Sequence, residues 1–167
     1  MTKFVLDFLE NADIDSGNVR VGILSYSTKV QVEFYLNSHS TKEQMFDAID
    51  KIPYRYGSTN TYAGLNYMRN QIFTSQNGDR NDVPNIAIIL TDGVSNVNSR
   101  ETIPEAERVR SEGIHIYAIG IGLSDTREVD AIATPPKEDN SFNVQDFDEL
   151  GVLSERVFQA FCPGKHI

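Results

Sequence analysis

Apolar residues recur along the chain with two spacings, one typical of helices and one typical of strands. A helical spacing comes first, in Phe4, Val5, Phe8, Leu9 and Ala12. Apolar and polar residues then alternate from Val19 to Tyr26 and again from Val30 to Leu36, with a short turn at 27–29 between them. This alternation predicts an antiparallel pair of strands after the first helix.

The rest of the chain alternates helices with strongly apolar strands. Helical spacing covers residues 40–52, 62–72, 104–110, 126–133 and 147–161. Strands are predicted at Ile86–Leu90, Ile114–Ile121 and Phe142–Val144. Helices between strands in this order predict a three-layer α/β fold. We expect a mostly parallel, doubly wound sheet with helices on both faces and the strand at 30–36 as its antiparallel edge.

Composition narrows the class of protein. The chain has 167 residues, of which 40% are hydrophobic and 23% charged, as in one soluble globular domain. A net charge of −9 argues against nucleic acid as the partner, because phosphate backbones are bound by clustered Lys and Arg. No apolar run approaches the ~20 residues of a membrane span. The N-terminal residues do not form a signal peptide, so the sequence by itself predicts a chain that stays in the cytosol.

Two polar segments carry the candidate chemistry. The apolar strand from Ile86 ends in Thr91-Asp92-Gly93, and a hydroxyl-rich segment, Gly57–Thr61, lies upstream. Ligands of open α/β sheets bind outside the carboxyl ends of the strands, which is where Asp92 is expected. A carboxylate and a hydroxyl suit a hard cation such as Mg²⁺. The alternative is that Asp92-Gly93 is only a turn after a buried strand.

Several strings in the same order resemble one family. They are Asn18–Ser27, Gly57–Thr61 leading into Ala63–Leu65, Ile89–Gly93, Tyr117–Gly122 and Phe147–Leu150. Together they resemble a von Willebrand factor A-type domain of the extracellular matrix and adhesion kind. The resemblance covers residues 1–162 and leaves 163–167 as a tail.

The resemblance implies a metal site at the carboxyl edge of the sheet. By position, Thr59 and Asp92 resemble the family's threonine and aspartate ligands, and Ser58, Asn60, Gly93 and Ser95 would form the partner-binding rim. The family's Asp-x-Ser-x-Ser loop has no counterpart here. We therefore expect Mg²⁺ or Mn²⁺ in a complete domain, and weak or absent binding in this chain.

The same resemblance places one more strand at the centre of the sheet, ahead of residue 1. Its absence would leave the strands at Val19 and Ile86 with unpaired interior edges and an apolar slot between them. Either those edges rejoin directly, or another segment supplies a strand, or the chain is a piece of a longer protein, which is the interpretation we favour. We expect the isolated chain to self-associate through those edges or Cys162. In secreted members of the family a cysteine in this position often pairs with one before the first strand, and the alternative is a free thiol.

The resemblance implies a secreted binding module whose partner is collagen, another matrix protein or a receptor. A metal-free structural or assembly domain of a matrix protein is the alternative, and an intracellular A-domain protein is a third hypothesis. No nucleophile elbow, phosphate-binding loop or zinc-protease motif occurs, so we do not expect an enzyme. The three histidines, His39, His115 and His166, lack metal-ligand spacing.

Overall fold

The computed structural model describes residues 1–151, 153 and 157. Its strands are β1 (Ile23–Tyr26), β2 (Val30–Phe34), β3 (Asn85–Thr91), β4 (Ile114–Ile121) and β5 (Ser141–Val144). Its helices are α1 (Thr2–Leu9), α2 (Lys42–Asp50), α3 (Thr61–Tyr67), α4 (Ser99–Ser111), α5 (Arg127–Ile132) and α6 (Lys137–Asn140). A π-helical turn at Met68–Ile72 continues α3, and a 3₁₀ turn spans Ser75–Asn77. None of the described helices is long and apolar enough to cross a membrane.

The strands form two sheets. One holds β1 and β2 as an antiparallel pair, with Tyr26 opposite Val30. The other holds β3, β4 and β5 in parallel, with Leu90 opposite Ile119. The predicted α/β fold with an antiparallel edge at β2 is confirmed.

Helices cover both faces of the sheets, because side chains on a strand point alternately to opposite faces. On one face, α1 and α2 pack on alternate β4 residues through a core that includes Phe4, Phe8, Met45, Ile49, Tyr117, Ile119 and Ile121. On the other face, α3, α4 and α5 pack through Leu65, Ala87, Ile89, Ala106, Val109, Ile116, Ala118 and Ile132. The strand β4 is consequently buried along almost its whole length.

The predicted break in the sheet is present. Among the described residues, β1 pairs only with β2, and β3 pairs only with β4. We call the space between β1 and β3 the gap. The four residues of β1 are all only partly buried, although the strand is apolar. The two sheets are held together by helices and by hydrogen bonds between loops, not by a shared strand ladder.

Some predicted bounds were wrong. The strand predicted from Val19 begins only at Ile23, since residues 19–22 have no strand partner among the described residues. The helix predicted from Pro104 begins at Ser99, because Asn98 adopts a left-handed backbone conformation (φ 51°) that turns the chain there. Phe147 was predicted to line the last helix but is 50% exposed. Phe158, Phe161 and Cys162, and the predicted tail, lie outside the described residues.

Candidate functional site

The loops that follow β1, β3 and β4 meet at one edge of the molecule, which we call the upper edge. The backbone N–H of Asn60 donates to the Ser27 carbonyl (3.0 Å), which joins the loop before α3 to the end of β1. The N–H of Ser95 donates to the Glu128 carboxylate (2.8 Å), which joins the β3–α4 loop to α5. These bonds anchor the loops that carry the two predicted ligand segments at the edge of the molecule where the strands end.

The hydrogen bonds that hold Thr59 in place are made by its backbone, so its hydroxyl is available to bind a ligand. Its N–H donates to Asn96 Oδ1 (3.0 Å), and its carbonyl accepts from the N–H groups of Asn96 (3.0 Å) and Val97 (3.2 Å). A methyl group built on Gly93 would lie 3.0 Å from Thr59 Oγ1. The Thr59 hydroxyl therefore lies directly against the backbone that follows Asp92.

Asp92 lies at the exposed end of β3. The turn behind it is fixed by Thr91, whose hydroxyl donates to the Gly93 carbonyl (2.7 Å) and accepts from the Gly93 N–H (3.2 Å). Burial lowers the pKa of the Met1 amino group, and the negative charge of Asp92 opposes that shift. The Asp92 carboxylate is exposed, so a partner can reach it from solvent.

Some of the residues predicted to form the partner-binding rim are buried rather than exposed at the surface. The Ser58 N–H donates to Thr28 Oγ1 (3.0 Å). The neighbouring Gly57 has a φ of +150° and no room for a side chain, and this allows the loop to lie close to Thr28. Asn60 and Ser95 are instead 6% and 7% exposed. Asn60 Oδ1 accepts from the N–H of Ala63 (3.0 Å) and caps α3, and Ser95 Oγ accepts from the Thr102 hydroxyl (3.1 Å). Asn60 and Ser95 therefore fix the loops beneath the rim and do not form its surface.

A second feature of the upper edge was not predicted. A shallow cavity of about 330 Å³ lies beside the β3–α4 loop and is lined by Val94, Ile103, Asp125, Arg127, Glu128 and Ala131. The side-chain hydrogen bonds and the charge of Arg127 hold the pKa of Asp125 at about 2. The rule that ligands bind beyond strand ends could have identified Asp125 and Glu128, which follow β4.

Tyr26 lies behind the site and was also missed. Its hydroxyl donates to the Leu90 carbonyl (3.3 Å), so a side chain of β1 reaches the backbone of β3. Burial raises the pKa of Tyr26 to about 12, and the nearby hydroxyls of Thr91 and Thr61 only partly offset this effect. No periodicity marks such a contact, because it joins residues 64 positions apart.

The donors present do not fit a firmly held metal ion. Mg²⁺ and Mn²⁺ sites in proteins use several oxygen ligands, and Thr59 and Asp92 supply one hydroxyl and one carboxylate. In the described part of the chain, no three His, Cys, Asp or Glu side chains lie together in a way that could hold a metal.

Comparisons with known proteins identify the family of this chain. The family model described as von Willebrand factor type A domain matches residues 1–156. The collagen alpha-1(XII) chain of Notophthalmus viridescens is 36% identical over 160 residues, which cover 96% of this chain and 17% of that protein. Matrilin-2 of Mus musculus is 31% identical over 163 residues, which cover 95% of this chain and 17% of that protein. The chain thus corresponds to a small part of these extracellular matrix relatives.

Solved structures with a closely similar fold come from another matrix protein. Proximal thread matrix protein 1 from the mussel byssus superposes with a TM-score of 0.90 and 29% identity, over 97% of this chain and 42% of that one. A second structure of that protein, described as having a zinc-occupied MIDAS motif, superposes with a TM-score of 0.89 and 30% identity, over 97% of this chain and 42% of that one.

Proposed function

The chain belongs to the von Willebrand factor type A domain family, and we propose that it is a protein-binding module of an extracellular matrix protein. The single observation that carries this proposal is the upper edge, where Thr59, Asp92 and the half-buried Ser58 lie on loops that are hydrogen-bonded to one another. Rigid loops carrying an exposed carboxylate suit recognition of another protein, because little ordering is required on binding.

The partner we propose is a matrix protein, with collagen as the first candidate and a cell-surface receptor as another. The matrix relatives support this class of partner. The cavity beside Val94 and Glu128 adds an apolar recess next to the carboxylate, so one partner segment can contact both. Secretion, as part of a longer protein, belongs to the same proposal.

We propose that recognition does not depend on a firmly held cation in this chain. Mg²⁺ held by one hydroxyl and one carboxylate would keep most of its water, so its affinity is expected to be no tighter than millimolar. Titration calorimetry with Mg²⁺ and Mn²⁺ tests this expectation. A micromolar site that Asp92→Ala removes would contradict it, whereas a complete ligand set would be expected to bind far more tightly.

Binding to immobilised matrix proteins tests the function. Asp92→Ala and Thr59→Ala should each weaken binding at least tenfold, because both side chains lie at the upper edge. Asp82→Ala is the matched control, since Asp82 is an exposed carboxylate in the loop before β3, at the opposite end of that strand. Equal binding by all four proteins would contradict the proposal.

A metal-free assembly domain is the second candidate, favoured by the absence of a three-ligand group among the described residues. It predicts concentration-dependent self-association, measured by analytical ultracentrifugation, that neither Asp92→Ala nor a chelator changes. A chain that stays monomeric would exclude this candidate, and matrix binding lost in Asp92→Ala would favour the first.

A further inference from the structure

The exposed carboxylate of Asp92 is followed directly by a glycine, and this pair of residues has a chemistry of its own. Asp92-Gly93 is the one Asp-Gly pair in the sequence. Glycine has no side chain to shield its backbone nitrogen, so the nitrogen can reach the carboxyl carbon of the aspartate before it. In flexible chains an Asp-Gly pair therefore rearranges slowly and without an enzyme. The carboxylate that we propose for partner binding lies in such a pair.

The rearrangement is balanced without an oxidant or a second protein. The backbone nitrogen of Gly93 attacks the carboxyl carbon of Asp92, so that a new C–N bond forms and one C–O bond breaks. The oxygen leaves as water and takes the amide proton and the carboxyl proton with it. Water then adds to the backbone carbonyl of the cyclic imide and breaks its bond to the nitrogen. The product is an isoaspartate, which is linked to Gly93 through its side-chain carbonyl.

Packing leaves little room for a residue other than glycine at position 93. A methyl group built on Gly93 would lie 3.0 Å from Thr59 Oγ1, which is tighter than an ordinary van der Waals contact. A larger residue would slow the rearrangement by shielding the nitrogen, but it would press against the Thr59 hydroxyl. Protection of the Asp92-Gly93 pair therefore has to come from the hydrogen bonds around it.

The side chain of Thr91 holds the reacting nitrogen in place. Its hydroxyl accepts from the Gly93 N–H (3.2 Å) and donates to the Gly93 carbonyl (2.7 Å), so one oxygen atom bonds both backbone groups of the glycine. Thr91 is 5% exposed, and water therefore has little access to compete for its hydroxyl. Attack on Asp92 requires the Gly93 nitrogen to leave this hydrogen bond and turn toward the carboxyl group.

The residues on either side of the pair are fixed as well. Thr91 lies opposite Gly120 in the parallel ladder of β3 and β4. Two residues beyond Gly93, the Ser95 N–H donates to the Glu128 carboxylate (2.8 Å). Closure of the imide ring requires rotation of the backbone at Asp92, and an anchor on each side opposes that rotation. The exposed Asp92 thus lies in a segment with little freedom to form the ring.

We propose that Asp92 is a site of spontaneous isoaspartate formation, and that the Thr91 hydroxyl controls the rate of this modification. The aspartate is retained while the turn is closed, and the imide forms when the turn opens. An isoaspartate adds one methylene group to the backbone, about 1.5 Å of chain, and shifts the carboxylate. The modification itself does not depend on the proposed partner, and only its effect on binding rests on the proposed function.

Prolonged incubation of the folded chain tests the proposal. Isoaspartate at position 92 is measured by peptide mapping with fragmentation that distinguishes the two isomers. Thr91→Val keeps the shape of the side chain but removes both bonds, and it should raise the rate about three- to tenfold, the factor that corresponds to the ordinary net strength of one hydrogen bond. Thr91→Ser keeps the hydroxyl and should react nearly as the original chain does. Equal rates in Thr91→Val and the original chain would overturn the proposal.

Two controls separate the role of this hydroxyl from a general loosening of the fold. Thr61→Val removes another buried hydroxyl, which has no hydrogen-bond partner among the described residues, and should leave the rate unchanged. An acceleration in Thr61→Val equal to that in Thr91→Val would refute the proposal. A free peptide with the sequence of residues 88–95 lacks the anchored turn and should react at least tenfold faster than the folded chain. Should Thr91→Val fail to fold, this comparison decides the question, and equal rates in peptide and chain would show that the fold gives no protection.

Binding to immobilised matrix proteins separates the modification from the proposed function. Fresh and aged samples of Thr91→Val are compared, and the binding-competent fraction should fall in step with isoaspartate at position 92, because the carboxylate has moved. If isoaspartate forms at the expected rates and binding does not change, the modification stands and the proposed role of Asp92 in binding is contradicted. A loss of binding on ageing without isoaspartate at position 92 would overturn the modification instead.

Discussion

The strands β1 and β4 have similar apolar sequences but very different surroundings. β4 has a parallel neighbour on each side and is buried at seven of its eight positions, whereas all four residues of β1 remain partly exposed. The difference arises from neighbours, since β1 has a strand on one side only. Burial of a strand is therefore a property of the sheet around it, and β1 has the weaker support.

Helices compensate for part of this difference. α3 contacts β1 through Gly64, where a methyl group would lie 3.1 Å from the Tyr26 ring. The turn that continues α3 carries Arg69, which bonds to the buried Glu105 of α4 (2.8 Å) over the three-stranded sheet. The same helical segment thus holds the β1–β2 sheet to the rest of the molecule.

Loss of Glu105 should have the largest effect. Its side chain is fully buried and accepts from Arg69 (2.8 Å), Arg108 (2.9 Å) and Asn66 (3.3 Å). Glu105→Ala should lower the free energy of unfolding by about 3–5 kcal/mol, because it leaves Nε of the mostly buried Arg69 without its carboxylate partner. Denaturant unfolding measures this, with Glu107→Ala, an exposed carboxylate on the same helix, as the control. An equal effect of both substitutions would contradict the role of the helix contact.

The same carboxylate predicts a pH dependence. Burial raises the pKa of Glu105, but the hydrogen bonds from Arg69 and Arg108 outweigh it, and the net shift is below the ordinary 4.5. A depressed pKa in the folded state contributes stability above the unfolded pKa and loses it as the pH falls. The chain should therefore lose more stability between pH 5 and pH 3 than Glu105→Gln does. Parallel losses would show that Glu105 does not cause the shift.

A matched pair of isoleucines compares the two regions directly. Ile119 of β4 is 0% exposed, and Ile88 of β3 borders the gap on the same face. Ile119→Ala should lower the free energy of unfolding by about 2–5 kcal/mol, and Ile88→Ala by at least about 1 kcal/mol less, because Ile88 is only partly removed from water. Equal effects would indicate that the gap is as well packed as the core of the three-stranded sheet.

The order of elements and the approximate place of the site were accessible from the sequence. Apolar spacing is local, so it located the strands at Ile86 and Ile114. The carboxyl-edge rule predicted the place of Asp92, and the resemblance to the family assigned Thr59 to the same site. The contacts of Tyr26 with Leu90, of Arg80 with Gly17 and of Ser95 with Glu128 were not accessible. Each joins residues at least 33 positions apart, and each depends on packing rather than on a pattern.

Removal of the Tyr26 hydroxyl should have a smaller effect. Tyr26→Phe deletes the bond to Leu90 and should cost about 0.5–1.5 kcal/mol, measured by denaturant unfolding. Because the pKa of Tyr26 is raised to about 12 from the ordinary 10.0, its neutral form contributes stability that is lost as the pH rises from 10 to 12. Tyr26→Phe should remove that alkaline loss. A variant that keeps it would assign the loss to another group.

The smallest effect is expected for Arg127→Ala, at the upper edge and away from the gap. The pKa of Asp125 should rise from about 2 toward its ordinary 3.8, because Arg127 supplies its largest lowering contributions. The unfolding midpoint should not change, since both side chains are well exposed. Carbon-detected NMR titration of the Asp125 carboxyl tests this, and an unshifted pKa would contradict the pairing.

The central claim is that β1 and β3 present unpaired edges across a gap, and native-state hydrogen exchange of the chain alone tests it most directly. We expect strong protection along β4, whose amides bond to neighbours on both sides. Amides of β1 and β3 that face the gap should exchange at least a hundredfold faster than those of β4, because exchange there needs no global unfolding. Uniform protection of β1, β3 and β4 would show that the two edges are paired, and would contradict the account.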